Sequence, residues 1–399
     1  MASARSVLIA GAGIAGPTLA YWLVRRGWTP LLLESAPEFR AGGYIIDFWG
    51  LGFEVAARMQ LVDSLRARGY TIDELRYVAA DGRTRSQIDA TSIRRALGDQ
   101  FTSLPRGELA AAIYERVAGD VETRFGDSIA RLDDGPGGVD VTFASGLQRR
   151  FDLVIGCDGA HSALRAQLFG ASAAATDYLG YVAASFITDG YPARDEHTYV
   201  SWAAPGKQIS RYALRDDRSA FLLVWTRAQP PVLAAGDRGG RVRLTADAFA
   251  GDDWCELPAI RERLAASAEL YFDSVAQVHA PAWSRGRVAL LGDAAYCPSL
   301  LAGAGSSYAM AGAYLLAGEL ARAGGDHVVG FAAYERRFRP FIDAKQRAAR
   351  RFASSFAPRT GFGLWARDAA LRLMNVPHLG DWMLRRMVAD RFPLPDYDA

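Results

Sequence analysis

The first uninterrupted apolar run lies at 6–10 (SVLIA), which predicts a strand buried on both faces. Positions 17–26 then carry helical spacing and 30–34 (PLLLE) form a second apolar run. The chain therefore opens on a β-α-β unit, the start of a parallel sheet. Helical spacing recurs over 51–68 and 106–117; residues 137–143 and 147–155 read as paired strands, and 151–156 (FDLVIG) as another buried run. From about 176 to 226 the pattern changes. YLGYVAASFIT, HTYVSWAA, KQISRYAL and SAFLLVWT are β-branched and aromatic runs separated by Gly, Pro or Asp turns, which predicts an antiparallel sheet with one packed face. After about 275 the earlier style returns, with 287–291 (RVALL) as a strand and 306–323 and 331–356 as long helices.

The expected fold class is α/β with a β insert. A Rossmann-type nucleotide-binding domain (1–75, 101–172 and 276–325) is interrupted by an antiparallel-sheet domain (76–100 and 173–275). A helical, Arg-rich segment (326–399) closes the chain. There is no internal repeat and no low-complexity linker.

Composition narrows the class. With 50% hydrophobic and 23% charged residues over 399 positions, the chain is neither disordered, collagenous nor a disulfide scaffold. A net charge of +2 supplies no field that argues for nucleic acid or an anionic membrane. Three widely spaced cysteines, Cys157, Cys255 and Cys297, point to a reducing cytoplasm. Arg5 and the apolar stretch after it resemble a secretory signal, but Gly11, Gly13, Gly16 and Pro17 break it. No other segment offers about 20 uninterrupted apolar residues, so a soluble protein is expected. The five histidines are scattered and there is no HExxH or CxxC, so no metal is expected.

Gly11-Ala12-Gly13-Ile14-Ala15-Gly16 is a GxGxxG between a strand and a helix. The first glycine makes the tight turn, the second admits a pyrophosphate, and the third lets helix and strand pack closely; the helix N-terminus attracts the anion. Glu34 follows at the end of the next strand, where a carboxylate accepts both ribose hydroxyls. A 2′-phosphate there would meet a like charge, at a cost of about 4 kcal/mol at 4 Å and an effective dielectric of 20. NADP is disfavoured as the resident nucleotide. This motif alone leaves NAD and FAD open, and there is no second GxGxxG for a separate NAD(P)H domain.

Three further segments choose. They are 104–109 (LPRGEL), 157–165 (CDGAHSALR) and 292–305 (GDAAYCPSLLAGAG). In these the sequence resembles the class A FAD-dependent monooxygenases of the para-hydroxybenzoate hydroxylase fold. The shorter members, such as the tetracycline-inactivating and polyketide-tailoring enzymes, are the nearest in style. The resemblance implies that Arg106 contacts the FAD phosphates, Asp293 the ribityl chain, and the backbone at 301–305 the isoalloxazine ring. Asp158 and Gly159 match a motif implicated in FAD and NAD(P)H binding. Arg40, Gly42, Gly43 and Asp47 (RAGGYIID) resemble a loop whose arginine and aspartate touch cofactor or hydride donor. The full cofactor set is Gly11, Gly13, Ala15, Gly16, Glu34, Arg40, Asp47, Arg106, Ser128, Asp158, Gly159, Gly292, Asp293, Pro298, Gly303, Ala304 and Gly305. Tyr296 departs from the family's usual histidine, and Ser307, Ala311 and Gly312 from its Asn and Glu-Asp pair.

The activity implied is hydroxylation of an aromatic or phenolic small molecule by O2. Resident FAD would be reduced by transient NADPH or NADH, and oxygen would be delivered from a flavin C4a-hydroperoxide. A natural-product scaffold, polyketide or antibiotic, is the expected substrate class. Epoxidation, Baeyer-Villiger insertion, isoprenoid reduction or non-catalytic sheltering of an intermediate on the same fold are the alternatives. Placement of the insert implies that one sheet face covers the substrate, with Tyr199, Arg211, Tyr212 and Trp225 as its candidates. Alternation puts Arg211 and Trp225 on one side and Tyr212 on the other. No residue is assigned to proton transfer. A monomer or homodimer is expected.

Overall fold

The computed structural model describes residues 5–39, 44–89, 100–234, 236–376 and 392–397. In chain order the first third holds β1 (Arg5–Ala10), α1 (Ala15–Val24), β2 (Trp28–Glu34), β3 (Ile45–Trp49), α2 (Leu51–Arg58), α3 (Val62–Arg68), β4 (Glu74–Val78), β5 (Thr84–Asp89), β6 (Phe101–Pro105) and α4 (Arg106–Glu115). The middle holds β7 (Glu122–Phe125), β8 (Ile129–Gly135), β9 (Gly138–Phe143), β10 (Gln148–Phe151), β11 (Leu153–Gly156), α5 (Ala163–Phe169), α6 (Ala171–Ala174), β12 (Asp177–Asp189), β13 (Thr198–Ala204), β14 (Lys207–Ala213) and β15 (Arg218–Thr226). Then come α7 (Arg238–Ala248), α8 (Leu257–Ala266), β16 (Tyr271–Gln277), β17 (Ser284–Arg285), β18 (Val288–Leu290), α9 (Asp293–Tyr296), a 3₁₀ turn at Leu300–Ala302, α10 (Gly305–Arg322), α11 (His327–Phe356) and α12 (Gly361–Met374).

β1 lies between β2 and β11 in a six-stranded sheet, β17-β18-β11-β1-β2-β7. All its pairings are parallel except β17 with β18. Val7, Leu8 and Ile9 are fully buried because α1 covers one face of the sheet and the β8–β10 sheet packs on the other, which is why this strand reads as a continuous apolar run rather than an alternating one. The second sheet is β16-β12-β15-β14-β13-β4-β5, antiparallel except where β13 meets β4. A small antiparallel sheet (β8–β10) and a two-stranded ribbon (β3 with β6) complete the strands among the described residues. Helices α10 to α12 then carry the chain across the molecule. The result is a Rossmann-type fold with antiparallel sheets and a helical C-terminal segment.

Some sequence expectations shift in detail. The helical stretch 51–68 is two helices, because Gln60 takes a left-handed φ of 58° between them. The 147–155 strand is cut at Asp152, whose carboxylate instead accepts the Ser6 N–H at 2.7 Å and ties β1 to the β10–β11 junction. Hydrophobic alternation gave no warning of α7 and α8, which cover one face of the seven-stranded sheet with Phe249, Trp254, Leu257 and Ile260. Among the described residues no helix is long and apolar enough to cross a membrane.

Candidate functional site

The turn between β1 and α1 is closed behind and open in front. Gly11 has φ +111°, and a side chain there would collide with the Cys157 carbonyl at the end of β11. A side chain at Gly16 would strike the Gly11 carbonyl, whereas at Gly13 a Cβ would meet nothing within 4 Å. No side chain caps the N-terminus of α1, so its first N–H groups are available to an anion beside Gly13. Ala15 is the first residue of α1, and Gly16 lies in its first turn. Glu34 locks the loop to the end of β2: its Oε2 accepts the Ala12 N–H at 3.0 Å and its Oε1 the Ala36 N–H at 2.9 Å. Oε1 also accepts the Ser35 hydroxyl at 3.3 Å, so Oε2 is the oxygen that keeps a lone pair for a ribose hydroxyl.

Further residues named from the sequence take up different positions. Arg40, Gly42 and Gly43 lie outside the described residues. Ser128 is exposed near the end of β2; the buried Asp127 beside it organises the turn, accepting N–H groups of Ser128 at 2.9 Å and Ser145 at 3.1 Å. Burial alone would raise the Asp127 pKa, but these bonds and the Ser145 hydroxyl hold it below the usual range. The Asp158 side chain is occupied at the start of α5, accepting the Ser162 hydroxyl at 2.6 Å and the Leu164 N–H at 3.1 Å. What Asp158 and Gly159 (φ +82°) leave toward the open side is backbone. Arg165, in the same motif but not singled out, is fully buried. It donates to the Ala294 carbonyl at 2.9 Å and the Ala160 carbonyl at 2.7 Å, tying this loop to α9.

His161, beside Gly159, reaches across to Asp273 on β16 (Nε2···Oδ1 3.2 Å). That hydrogen bond raises the imidazole pKa above its ordinary value. The pair therefore contributes below the ordinary imidazole pKa and is lost as pH rises through the raised one. Asp273→Asn is expected to return His161 to the ordinary range, read by NMR titration of the imidazole.

A second group of residues gathers at α9 and the loop after it. Gly292 and Gly303 both have φ +66°. Ser299 takes φ +113°, a conformation costing a non-glycine residue about 1–3 kcal/mol. Gln277 holds this segment from the side by donating to the Pro298 carbonyl at 2.9 Å. A Cβ at Gly305 would come within 3.6 Å of Asp293 and 3.9 Å of Pro298, and Ala304 precedes α10. Burial raises the Asp293 carboxyl pKa, while the nearby Arg106 opposes the rise. Arg106 starts α4 and its N–H donates to the Tyr44 carbonyl at 2.9 Å. Tyr44, packed 5.1 Å from Tyr271, is pushed up to about 12 by burial despite Arg106. Tyr44, Tyr271, Arg106 and Asp293 all keep some accessible surface, so they line a cleft.

The opposite wall is one face of the seven-stranded sheet. Strand register puts Tyr199, Tyr212, Ala220 and Ile187 in one row. Ser201, Ser210, Leu222, Ser185 and Tyr271 form the next. Tyr199 and Tyr212 stack at 4.8 Å and sit against Ile45 of β3. Tyr181, Ala183 and Val224, on the same side, pack on Leu301 of the 3₁₀ turn. The serine row thus spans the cleft between the β3–β6 ribbon and the 297–305 loop.

Arg211 and Trp225 do not join this wall. Both lie on the other face, beneath α7 and α8. Arg211 donates to Glu256 at 2.7 and 3.1 Å and to Asp195 at 2.6 Å. Trp225 packs edge-on to Phe249 at 5.9 Å. The reading of Arg211 as a substrate anchor is corrected accordingly: its buried guanidinium is fully engaged with two partly buried carboxylates. The two departures at Tyr296 and Gly312 are one packing unit, since a side chain at Gly312 would occupy the place of the Tyr296 hydroxyl. That hydroxyl accepts from Tyr334 at 3.1 Å.

Comparison with known proteins accounts for this architecture. Residues 4–347 match the family described as FAD binding domain. A flavin-dependent monooxygenase of Legionella longbeachae is 31% identical over 365 residues, 92% of this chain and 89% of that protein. The crystal structure of the tetracycline destructase Tet(55) superposes with a TM-score of 0.84 at 28% identity, covering 100% of both chains. Klebsiella pneumoniae HpxO, solved with FAD and uric acid, shares the fold with a TM-score of 0.78 at 24% identity, over 96% of this chain and 95% of that one. The chain belongs to the FAD binding domain family and is an FAD-dependent monooxygenase of the shorter class A type.

Proposed function

We propose that this FAD-dependent monooxygenase uses NADPH or NADH and O2 to hydroxylate an aromatic or phenolic small molecule, of the polyketide or antibiotic kind. The observation that carries the reading is the cleft itself. On its wall the half-buried Tyr199, backed at 4.8 Å by the fully buried Tyr212, offers an aromatic face to a ring, and the half-buried Tyr271 in the adjoining row offers a hydroxyl to the ring's oxygen substituents. A tetracycline destructase among the solved relatives favours a fused-ring substrate.

The residues present fit FAD. The open space in front of Gly13 would take the pyrophosphate at the start of α1, with Glu34 on the ribose and Arg106 on a phosphate. Asp293 would meet the ribityl chain, and the backbone at 301–305 the isoalloxazine ring. Bound there, FAD would supply the electron transfer from the nicotinamide to O2. The chain's own contribution is position and exclusion of water: the 297–305 loop and the apolar sheet face close the cleft from two sides. Three free cysteines suit a reducing cytoplasm.

The test is a visible spectrum before and after FAD addition, followed by NADPH and NADH oxidation with a panel of phenols and aromatic polyketides. Flavin bands, ligand-stimulated oxidation and an oxygenated product are the expected results. Bound FAD with NAD(P)H consumed but no oxygen incorporated into any ligand would overturn the hydroxylase reading. It would favour a reductase or sheltering role.

A further inference from the structure

Helix α12 has two faces of opposite character. Its inward face is stapled to the seven-stranded sheet. Leu364 and Asp368 are buried, and Arg367 donates to the Gln208 side chain at 3.1 Å and lies 4.3 Å from the centre of the Tyr77 ring. Arg85 pairs with Asp368 at 2.9 Å, and Asn375 donates to the Gln87 carbonyl at 2.6 Å. Tyr77 is in register with Ser201, so this contact lies on the face of the sheet that walls the cleft. On the other side Phe362, Trp365, Ala369, Leu373 and Val376 recur at spacings of three and four, which aligns them along the outward face. Phe362 is 76% and Trp365 62% exposed, with their rings stacked at 5.7 Å. Leu373 and Val376 are exposed as well, and the exposed Phe352 stands near the end of α11, just before the turn into α12. Single apolar side chains on a surface are ordinary; a stripe about 20 Å long is not.

The charge around the stripe is one-sided. Residues 344–376 contain seven Lys or Arg and a single acid, Asp368, which is turned inward and held by Arg85 and Arg367. Arg347 and Arg351 near the end of α11, Arg359 in the turn and Arg372 on α12 are exposed. The small net charge of the whole chain thus hides a local excess of cations. Two copies meeting through this face would set like charge against like charge, because a two-fold contact places the same patch on itself. An anionic partner is favoured instead. Exposed Trp and Phe on a protruding helix, rimmed by arginine, match a lipid headgroup layer: the rings enter the boundary and the guanidinium groups meet the phosphates. We propose that α12 and the end of α11 form a docking surface for a bilayer containing anionic phospholipid. The helix would lie on that surface without crossing it. Docking in this way brings the cleft-side face of the sheet beside the lipid, where poorly soluble ring compounds concentrate. The inference stands on α12 and does not depend on the hydroxylase reading.

The test is co-sedimentation of the full-length, FAD-loaded protein with phosphatidylcholine vesicles, plain or containing about 30% phosphatidylglycerol. The wild type is expected to bind the anionic vesicles at least about tenfold more tightly than the neutral ones, and to be released by about 0.5 M salt. Phe362→Ser combined with Trp365→Ser should lower binding to anionic vesicles about tenfold or more. Both side chains are exposed, so the flavin bands and melting temperature of this variant should match the wild type. Arg347→Gln combined with Arg359→Gln should weaken binding to anionic vesicles and leave the neutral baseline where it was. No binding of the wild type to anionic vesicles, equal binding to both kinds, or undiminished binding by the Phe362→Ser, Trp365→Ser protein would overturn the proposal. So would a wild-type dimer that the same double substitution turns into a monomer in gel filtration, since the stripe would then belong to a second copy. Vesicle binding is read without turnover. Its failure leaves the hydroxylase reading untouched, and failure to oxygenate any ligand leaves the docking surface in place.

Discussion

Gly13→Val gives a folded protein that no longer retains FAD. The expectation follows from the different surroundings of the three glycines in the first turn. At Gly11 and Gly16 a side chain strikes backbone, the Cys157 carbonyl in one case and the Gly11 carbonyl in the other, so substitution there damages the β1–α1 packing itself. At Gly13 nothing stands within 4 Å of a Cβ and φ is not left-handed. An isopropyl group therefore costs the fold little. It does fill the space in front of the uncapped start of α1, where a pyrophosphate would have to approach the backbone N–H groups. A loss of about 100-fold in FAD affinity, or about 2.8 kcal/mol, is expected, with a far-UV circular dichroism spectrum matching the wild type. Gly11→Ala should instead lose melting temperature and FAD together. If Gly13→Val kept its flavin bands through gel filtration, the cofactor phosphates would have to lie elsewhere.

These glycines were legible in the sequence because their meaning is local. A tight turn, a close approach and a helix start all fall within six residues, and the flanking apolar runs supply the context. Two faces of β13 to β15 were also legible as a parity, since alternation separates Tyr212 from Arg211 on neighbouring positions. Which face covers the cleft was not. That depends on α7 and α8 folding over the side that carries Arg211 and Trp225, and their sequences show no strong apolar stripe to announce it. Ser103, whose hydroxyl donates to the Asp47 carboxylate, was hidden for a related reason. It stands 56 positions from Asp47, and only the pairing of two short, half-buried strands brings the hydroxyl and the carboxylate together. Tyr296 and Gly312 looked like two unconnected departures until one turned out to occupy the other's space.

Arg211→Ala should cost about 3–5 kcal/mol of stability, the range for removing one partner from a buried ion pair. The guanidinium is 5% exposed and is shared between Glu256 and Asp195. Asp195 also accepts from Arg76 at 2.8 Å, and Glu256 accepts the Tyr191 hydroxyl at 2.7 Å. Truncation leaves Glu256, a largely buried carboxylate at the start of α8, without its cation and with the Tyr191 hydroxyl as its remaining donor, so it must either stay ionised in a poorer environment or take up a proton. The cost should appear as a lower denaturant midpoint. Its pH dependence follows from Asp195, which Arg211 and Arg76 hold below the usual carboxylate range against the opposing effect of burial. A depressed pKa means stability that is present above the unfolded-state value and is lost as pH falls through the folded one. The wild type should therefore lose stability on acidification more steeply than Arg211→Ala, and the two should converge in acid. Affinity for an aromatic ligand, measured where both proteins are folded, should be unchanged, because Arg211 and the cleft lie on opposite faces of the sheet. An Arg211→Ala protein of wild-type stability that failed to bind an acidic ligand would require the guanidinium to reach the cleft, which its three bonds to Glu256 and Asp195 do not permit.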